Sequence, residues 1–417
     1  MSKQIIKDTN AILERQSNAF VDNFNEAWEL KKSGGKVIWS SSGGHNEILR
    51  PMGYAVCLPE VYGMILASAG MSDQLCKITD SYGYSSDLCS IIRCFQGWAL
   101  SDPPLDPQKL PFGGFPEPDA LYCAAYCPGL YKIWQELARV YNVPLHVVEH
   151  PWVNDLDVAD PSIMEAKLSQ DIAGMKEELA FYEDIIGKKL TDQELKDIAV
   201  KERDVSVLWH DILRMNMHKP APMSFFDLAN IFTMFQFYKG TDDALTYYAW
   251  VKEEVQKRID NHYVSMPEKY RVWWFGNPVG FAAAKQQKKM EELEVVPVMS
   301  QWCWYFGNED MDVEDPIRAI CQYSNCSPLQ FRGTRYKIDE IARMVTEYGC
   351  DGIICVGSRT CQVCTVDNNE ILEQVAARTG LPFVKIETDM ADESFYSEEE
   401  FNAAIDSLVE MMEQRRR

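Results

Sequence analysis

Residues 351–373 hold the feature that most limits the fold, a strand followed by a cysteine-bearing loop and a helix. An apolar run at 353–356 breaks at a glycine and a serine, and Cys361 comes just before a helical pattern. A second apolar run, 383–386, follows this helix. A strand, a helix and a strand in this order form a parallel βαβ unit, and open α/β sheets bind ligands beside the carboxyl ends of their strands. We therefore expect Cys361 to lie where an α/β protein places its chemistry.

Residues 118–151 repeat this layout. An apolar strand ends in a loop that carries Cys127, a helix follows from about Leu130, and a second strand covers 145–149. Repetition of one unit within a chain indicates related structural halves. We therefore predict an α/β fold with two related lobes that contain parallel sheets, in which Cys127 is the counterpart of Cys361.

The remaining patterns divide the chain into three parts. Residues from about 160 to 262 are acidic and helical in pattern, and they separate strand-rich segments on either side. We predict an N-terminal α/β lobe over 1–158, a helical region over 159–265 and a C-terminal α/β lobe over 266–417. The other predicted strands cover 36–39, 54–58, 270–275 and 295–299.

Charge and the N-terminal sequence exclude several classes of protein. The 417 residues carry a net charge of −22, and no basic run exceeds the three terminal arginines, so we do not expect nucleic-acid binding. No run of eighteen apolar residues occurs, and the first residues lack the apolar stretch of a secretory signal. We expect a cytoplasmic protein that does not enter the membrane and whose partners are small molecules or proteins.

The chain contains thirteen cysteines. In a reducing compartment, cysteines serve as buried thiols, metal ligands or reactive groups rather than as disulfides. Most of them should be packing residues, because free cysteine is among the most buried residue types. We assign packing to Cys57, Cys350 and Cys355, which lie in or beside apolar runs.

Three other cysteines, Cys89, Cys127 and Cys361, occupy positions suited to a shared site. Cys89 falls in the first turn of a predicted helix, where the positive end of the helix dipole favours a thiolate. If the two lobes face each other, the three thiols can converge. Zinc is one candidate, although only Cys361 and Cys364 show the Cys-x₂-Cys spacing of structural zinc sites. An iron-sulfur cluster on three thiolates would leave one iron open to substrate, and inert buried thiols fit the spacing as well.

Several longer segments resemble the 2-hydroxyacyl-CoA dehydratase and benzoyl-CoA reductase family. Three of them contain the cysteines named above: YSSDLC, the CPG loop followed by KIWQELA, and DGIICVGSRTC followed by TGLPFVKIETDMAD. WSSSGGHNEIL and YAVCLPE are similar to the dehydratase subunits, whereas KGTDDALTYYAWVKEEVQKRI and EKYRVWWFGNP are similar to the aromatic acyl-CoA reductases. The resemblance extends over nearly the whole chain.

The resemblance implies a two-lobed Rossmann-like fold with a [4Fe-4S] cluster between the lobes. The cluster ligands would be Cys89, Cys127 and Cys361. A subunit of this kind pairs with a related second subunit, or with a copy of itself, and receives an electron from a separate ATP-dependent iron-sulfur activator protein. The implied reaction is the radical elimination of water from a 2-hydroxyacyl-CoA substrate, through a ketyl radical formed by one-electron reduction.

Three polar residues are candidates for the substrate site. Ser42 and Glu60 match a serine near the cluster and a glutamate beside the substrate in the dehydratases. His45, Asn46 and Glu47 replace the Pro-Gln-Glu run that the dehydratases usually have after this loop. The His45 imidazole could act as a proton donor near neutral pH.

The resemblance leaves alternative functions open. Reduction of an aromatic acyl-CoA begins with the same one-electron step, and some homologues carry a double-cubane cluster on additional cysteines. The candidates for such extra ligands are Cys303, Cys321, Cys326 and Cys364. The non-enzymatic alternative is an electron carrier or a scaffold subunit.

Overall fold

The chain forms two sheets of four parallel strands. The computed structural model describes residues 10–326 and 333–417. The first sheet contains β1 (Ile38–Ser40), β2 (Val56–Cys57), β3 (Ala120–Ala124) and β4 (Leu145–Val148), in the order β2-β1-β3-β4. The second contains β5 (Tyr270–Gly276), β6 (Val295–Ser300), β7 (Gly352–Ser358) and β8 (Phe383–Thr388), in the order β6-β5-β7-β8.

The two sheets have the same topology, strand for strand. β1 lies between β2 and β3 as β5 lies between β6 and β7, and every strand pair is parallel. Cys127 follows β3 and Cys361 follows β7, so the predicted correspondence between these two positions is confirmed. Because all strands of a sheet run in one direction, the loops after them open at one edge.

Strand β7 shows why these strands are recognisable in the sequence. All seven of its residues are buried. A parallel sheet covered on both faces reads as a continuous apolar run rather than an alternating one. Cys355 lies within β7, and Cys57 and Cys350 are buried too, which confirms that these three thiols are packing residues.

Helices surround the two sheets. In chain order they are α1 (Asn10–Lys32), α2 (Leu49–Met52), α3 (Pro59–Ser68), α4 (Ser72–Ser81), α5 (Ser90–Ala99), α6 (Pro128–Tyr141), α7 (Pro161–Ile186), α8 (Asp192–Met215), α9 (Phe225–Tyr238), α10 (Asp242–Asp260), α11 (Ala283–Glu292), α12 (Gln301–Trp304), α13 (Pro316–Cys326), α14 (Thr334–Glu347), α15 (Gln362–Thr365), α16 (Asn368–Thr379) and α17 (Glu398–Arg416).

The long helices α7 to α10 lie between the two sheets in the chain, where the sequence predicts a helical region. Their starts follow the expected capping chemistry. Thr191 with Glu194, and Ser224 with Asp227, form reciprocal capping boxes at the beginnings of α8 and α9. The residues that the structure describes between α7 and the end of α10 include no strand.

Helix α5 begins later than the sequence predicts. The sequence pattern places Cys89 within the first turn, but the helix starts at Ser90 and Cys89 is its N-cap residue. The Ser85 hydroxyl accepts a 3.2 Å hydrogen bond from the Asp87 backbone N–H, which holds this segment in a local turn. Such side-chain to backbone bonds compete with helix formation. Cys89 therefore precedes the first turn instead of lying within it.

The length and the apolar character of the helices decide whether any of them could cross a membrane. Across residues 10–326 and 333–417, none of them combines the length and the apolar character that crossing a bilayer requires.

Candidate active site

A cavity of about 510 Å³ opens at the carboxyl ends of the strands. The loops after β1, β3, β5 and β7 contribute Ser42, Cys127, Asn277 and Cys361 to its walls, so both sheets supply residues. Much of the lining is apolar: Val61, Met64, Ile91, Ile92, Leu130, Phe232, Trp302, Phe306 and Met390. A cleft with apolar walls and a few convergent polar groups is typical of a small-molecule site.

The three predicted cysteines, Cys89, Cys127 and Cys361, all line this cavity. Each is the N-cap residue of a helix, α5, α6 and the short α15 respectively. The Cys127 sulfur accepts a hydrogen bond from the Leu130 backbone N–H at 3.4 Å. Helix starts offer unpaired N–H groups and a positive dipole end, so the beginnings of α5 and α6 favour negatively charged sulfur.

Burial opposes ionisation of these thiols in the absence of a bound cation. Burial, with a smaller contribution from the nearby Cys127 sulfur, raises the pKa of Cys89 to about 12. Burial also raises the pKa of Cys127. A coordinated metal deprotonates a thiol outright, and thiolates are soft ligands that suit iron-sulfur clusters and zinc. Three partly buried thiols that converge on one cavity therefore fit a metal centre better than three isolated packing residues.

A buried carboxylate, Asp389, connects two of the cysteine loops. It accepts hydrogen bonds from the Thr360 backbone N–H at 2.9 Å and from the Thr360 hydroxyl at 2.6 Å, directly before Cys361. It also accepts a hydrogen bond from the hydroxyl of Ser90, the residue after Cys89. The Ser90 backbone N–H in turn donates to the Thr360 hydroxyl at 3.0 Å. This network fixes the relative position of the Cys89 sulfur, at the start of α5, and the Cys361 sulfur, in the loop after β7.

A fourth thiol, Cys364, lies on the same cavity wall beside Cys361. A hydrogen bond between the two thiols, together with burial, raises the pKa of Cys361. The same bond lowers the pKa of Cys364, with help from Asn277 and from the charge of Lys337. Cys364 is therefore a further candidate ligand.

Ser42 and Glu60 also line the cavity, and Tyr126 joins them. Glu60 Oε1 accepts hydrogen bonds from the Ser42 backbone N–H at 3.2 Å and from the Tyr126 hydroxyl at 3.3 Å. The Ser42 and Tyr126 hydroxyl oxygens are 3.1 Å apart. Burial raises the pKa of Glu60 to about 7, although these hydrogen bonds oppose the rise. Glu60 can therefore hold or release a proton near neutral pH.

His45 is not among the residues that line the cavity. Its side chain is only 3% exposed, and its Nδ1 lies 2.7 Å from Glu178 Oε2. This position does not favour the predicted role of His45 as a proton donor to the substrate, because its imidazole faces a buried carboxylate on α7 instead.

The additional cysteines do not gather at the cavity as a group. Cys303 and Cys321 are buried and are not among the lining residues. Only Cys364 of this set reaches the wall, and the side chain of Cys326 lies outside the described residues. This distribution gives no support to a double-cubane ligand set.

Sequence reasoning missed two residues that shape the site, Tyr126 and Asp389. Tyr126 directly precedes Cys127, so its position in the cysteine-bearing loop could have identified it as a site residue. Asp389 follows β8, at the same sheet edge as the loop after β7, and strand ends at this edge were already the expected source of site residues.

The fold and site together define a class of protein: an α/β protein with two parallel sheets whose loops and helix starts bring four thiols, a serine, a glutamate and a tyrosine to one apolar cavity. Within that class, the chain belongs to the family described as 2-hydroxyglutaryl-CoA dehydratase, D-component, which matches residues 42–412. The match begins just after β1 and covers the other seven strands and all three cysteines, and it confirms the family resemblance.

Characterised relatives resemble the chain over nearly its full length. The alpha subunit of (R)-2-hydroxyisocaproyl-CoA dehydratase from Clostridioides difficile is 25% identical over 96% of this chain and 96% of its own. The alpha subunit of lactoyl-CoA dehydratase from Anaerotignum propionicum is 26% identical over 93% of each chain. One of the subunits of benzoyl-CoA reductase from Thauera aromatica is 23% identical over 99% of this chain and 96% of its own.

Proposed function

We propose that the chain is the cluster-binding subunit of a radical 2-hydroxyacyl-CoA dehydratase. The observation that carries this proposal is that Cys89, Cys127 and Cys361 open onto one apolar cavity beside Ser42 and Glu60. Dehydratase alpha subunits among the relatives support the reaction type. The relatives are subunits of larger enzymes, which supports a related partner subunit, with a second copy of this chain as the alternative.

A [4Fe-4S] cluster on the three cysteines would pass single electrons, supplied by an ATP-dependent activator protein, to the acyl-CoA and would leave one iron without a protein sulfur. The cavity residues fit such a group by their chemistry. Three thiols and the N–H groups at the starts of α5 and α6 suit an electron-rich cluster, and the Asp389 network holds the loops in place.

The substrate chemistry explains why an electron is needed. The β-proton of a 2-hydroxyacyl-CoA is too weakly acidic for a side-chain base, even one tuned by burial. One electron added to the thioester carbonyl gives a ketyl radical anion, which expels the 2-hydroxyl group as hydroxide. The β-proton then becomes acidic, and its loss followed by return of the electron leaves the enoyl-CoA. Hydroxide and proton together form the released water, so no electron is consumed.

The residues of the chain contribute proton transfer and positioning. Glu60, whose pKa lies at about 7, delivers a proton to the departing hydroxide and regains one when the substrate loses its β-proton, so the net products are enoyl-CoA and water. Tyr126 contacts both Glu60 and the Ser42 hydroxyl and orients this pair toward the cavity. In this proposal the Ser42 hydroxyl donates a hydrogen bond to a substrate oxygen. The apolar walls exclude water from the radical.

Reduction of an aromatic acyl-CoA is the second candidate. The similarity to the benzoyl-CoA reductase chain favours it, as do the aromatic rings of Phe232, Trp302 and Phe306 in the cavity wall. A planar aromatic acyl group would stack well against such rings. Both reactions share the first one-electron step, so the geometry of the thiols serves either one.

Electron stoichiometry distinguishes the two reactions. The anaerobically purified protein, with its partner subunit and activator, would be assayed against aliphatic 2-hydroxyacyl-CoA esters and aromatic acyl-CoA esters. A dehydratase forms enoyl-CoA with many turnovers per electron supplied, whereas a reductase consumes two electrons per product. Absence of both products with every ester, from protein that contains its iron, would contradict the proposal and favour an electron carrier.

A further inference from the structure

A second cluster of metal-ligating side chains lies outside the cavity. Ligand atoms of His45, Asp171 and Cys321 all lie within 4.8 Å of one another. All three residues are buried, and none of them is among the residues that line the cavity. We propose that these three side chains bind a divalent transition metal, with zinc as the metal, at a site separate from the iron-sulfur ligands.

The surroundings of the three side chains resemble the outer shell of a metal site. His45 Nδ1 is 2.7 Å from Glu178 Oε2, and His150 Nδ1 is 2.7 Å from Asp171 Oδ1. Metal-binding histidines usually donate their second ring N–H to a carboxylate, which fixes the tautomer and orients the ring. Glu178 therefore holds the His45 ring with Nε2 directed away from it, and His150 orients the Asp171 carboxylate.

The imidazole and the thiol of this cluster contact each other. His45 interacts with the Cys321 thiol as well as with Glu178, and its side chain is only 3% exposed. Asp171 and Glu178 are fully buried, so two carboxylates, two imidazoles and a thiol share one interior region. Buried charged groups are normally paired or coordinate a metal, and a divalent cation between His45, Asp171 and Cys321 would balance this group.

The donor set selects the type of metal. One imidazole, one carboxylate and one thiol form a mixed set that suits zinc, whereas calcium and magnesium prefer oxygen ligands alone. The three ligands come from the loop after β1, from α7 and from α13. A metal held by them would cross-link the first sheet, the helical region and the segment before β7, so its role is to stabilise the fold.

X-ray absorption at the zinc edge tests the site without any substitution. The protein would be purified anaerobically, with its iron retained, from cells supplied with zinc. We expect about one zinc per chain, with a single sulfur neighbour at about 2.3 Å and nitrogen or oxygen neighbours at about 2.0 Å. A lack of zinc would overturn the proposal. Zinc with three or more sulfur neighbours would overturn it too, because that metal would occupy the cavity cysteines.

Two variants and one control locate the metal. Cys321→Ser should lose most of its zinc while its iron content stays unchanged. Cys303→Ser, which alters another fully buried cysteine, should retain zinc and serves as the matched control. Glu178→Gln removes the outer carboxylate but no ligand, and it should weaken zinc binding roughly 10–100-fold. Full zinc in folded Cys321→Ser protein would overturn the site. If Cys321→Ser fails to fold, the X-ray absorption spectrum of the wild-type protein and the zinc affinity of Glu178→Gln still test whether the site binds zinc.

Discussion

The Thr360 hydroxyl donates a 2.6 Å hydrogen bond to the buried carboxylate of Asp389. The same carboxylate accepts a bond from Ser90, so one side chain connects the residue before Cys361 with the residue after Cys89. These two cysteines are far apart in the chain: Cys89 precedes α5, between strands β2 and β3 of the first sheet, and Cys361 follows β7 of the second. Their relative position therefore depends on an interaction that neither sheet provides alone.

Asp389→Asn should loosen the proposed cluster site without removing a ligand. One carboxylate oxygen accepts from the Thr360 N–H and hydroxyl and the other from the Ser90 hydroxyl, so an amide nitrogen in place of either oxygen leaves buried donors without a partner. We expect the affinity for iron to fall roughly 10–100-fold, as is usual when an outer-shell partner is lost. The measurement is the rate of iron loss to a chelator under anaerobic conditions. Asp406→Asn, on the exposed face of α17, is the control and should behave like wild type.

Glu60 should control the pH dependence of the reaction. Its pKa is raised to about 7, so the carboxyl group is protonated below this pH and ionised above it. If Glu60 gives a proton to the departing hydroxide, kcat/KM should fall as the pH rises through about 7. Glu60→Gln should abolish this fall of kcat/KM with rising pH and lower kcat/KM by roughly 10²–10⁴-fold. An unchanged pH profile in Glu60→Gln would rule out this role, and Glu136→Gln on the surface of α6 controls for a general charge effect.

Arg93 should stabilise the packing of α4 and α5 against the segment after β8. Its guanidinium group is 2% exposed and binds Asp80 and Asp392, each at 2.7 Å. Arg93→Ala leaves two carboxylates without their cation and should lower the free energy of unfolding by about 3 kcal/mol. Urea denaturation measures the change. Arg139→Ala, at a position that is 72% exposed, should cost less than about 1 kcal/mol, and an equal effect of the two variants would contradict this account.

The sheets are predictable because parallel strands buried on both faces leave continuous apolar runs. The sequence predicts strand β7 at 353–356, and the strand extends over Gly352–Ser358. It predicts β2 at 54–58, but this strand covers only Val56–Cys57. Gly53 ends α2 with φ 95°, and the Tyr54 N–H bonds back to the carbonyl of Leu49, the first residue of α2, so the strand starts later. Local chain reversal of this kind is not visible in an apolar pattern.

The sequence predicts those site residues that lie in the loops directly after strands. Cys127 and Cys361 occupy equivalent loops, and equal topology brings each to the cavity edge of its sheet. The contact of Asp389 with Ser90 joins residues 299 positions apart, which only the packing of the lobes determines. His45 lies three residues after Ser42 in the chain, yet its side chain turns into the interior toward Glu178.

Iron content is the most direct test of the central claim that Cys89, Cys127 and Cys361 hold one cluster. Each cysteine would be changed to serine, with Cys355→Ser, a buried packing thiol in β7, as the control. We predict about four irons per chain in anaerobically purified wild type and in Cys355→Ser, and loss of most iron and activity in each of the other three variants. Folded Cys361→Ser protein that kept its full iron content and activity would contradict the account.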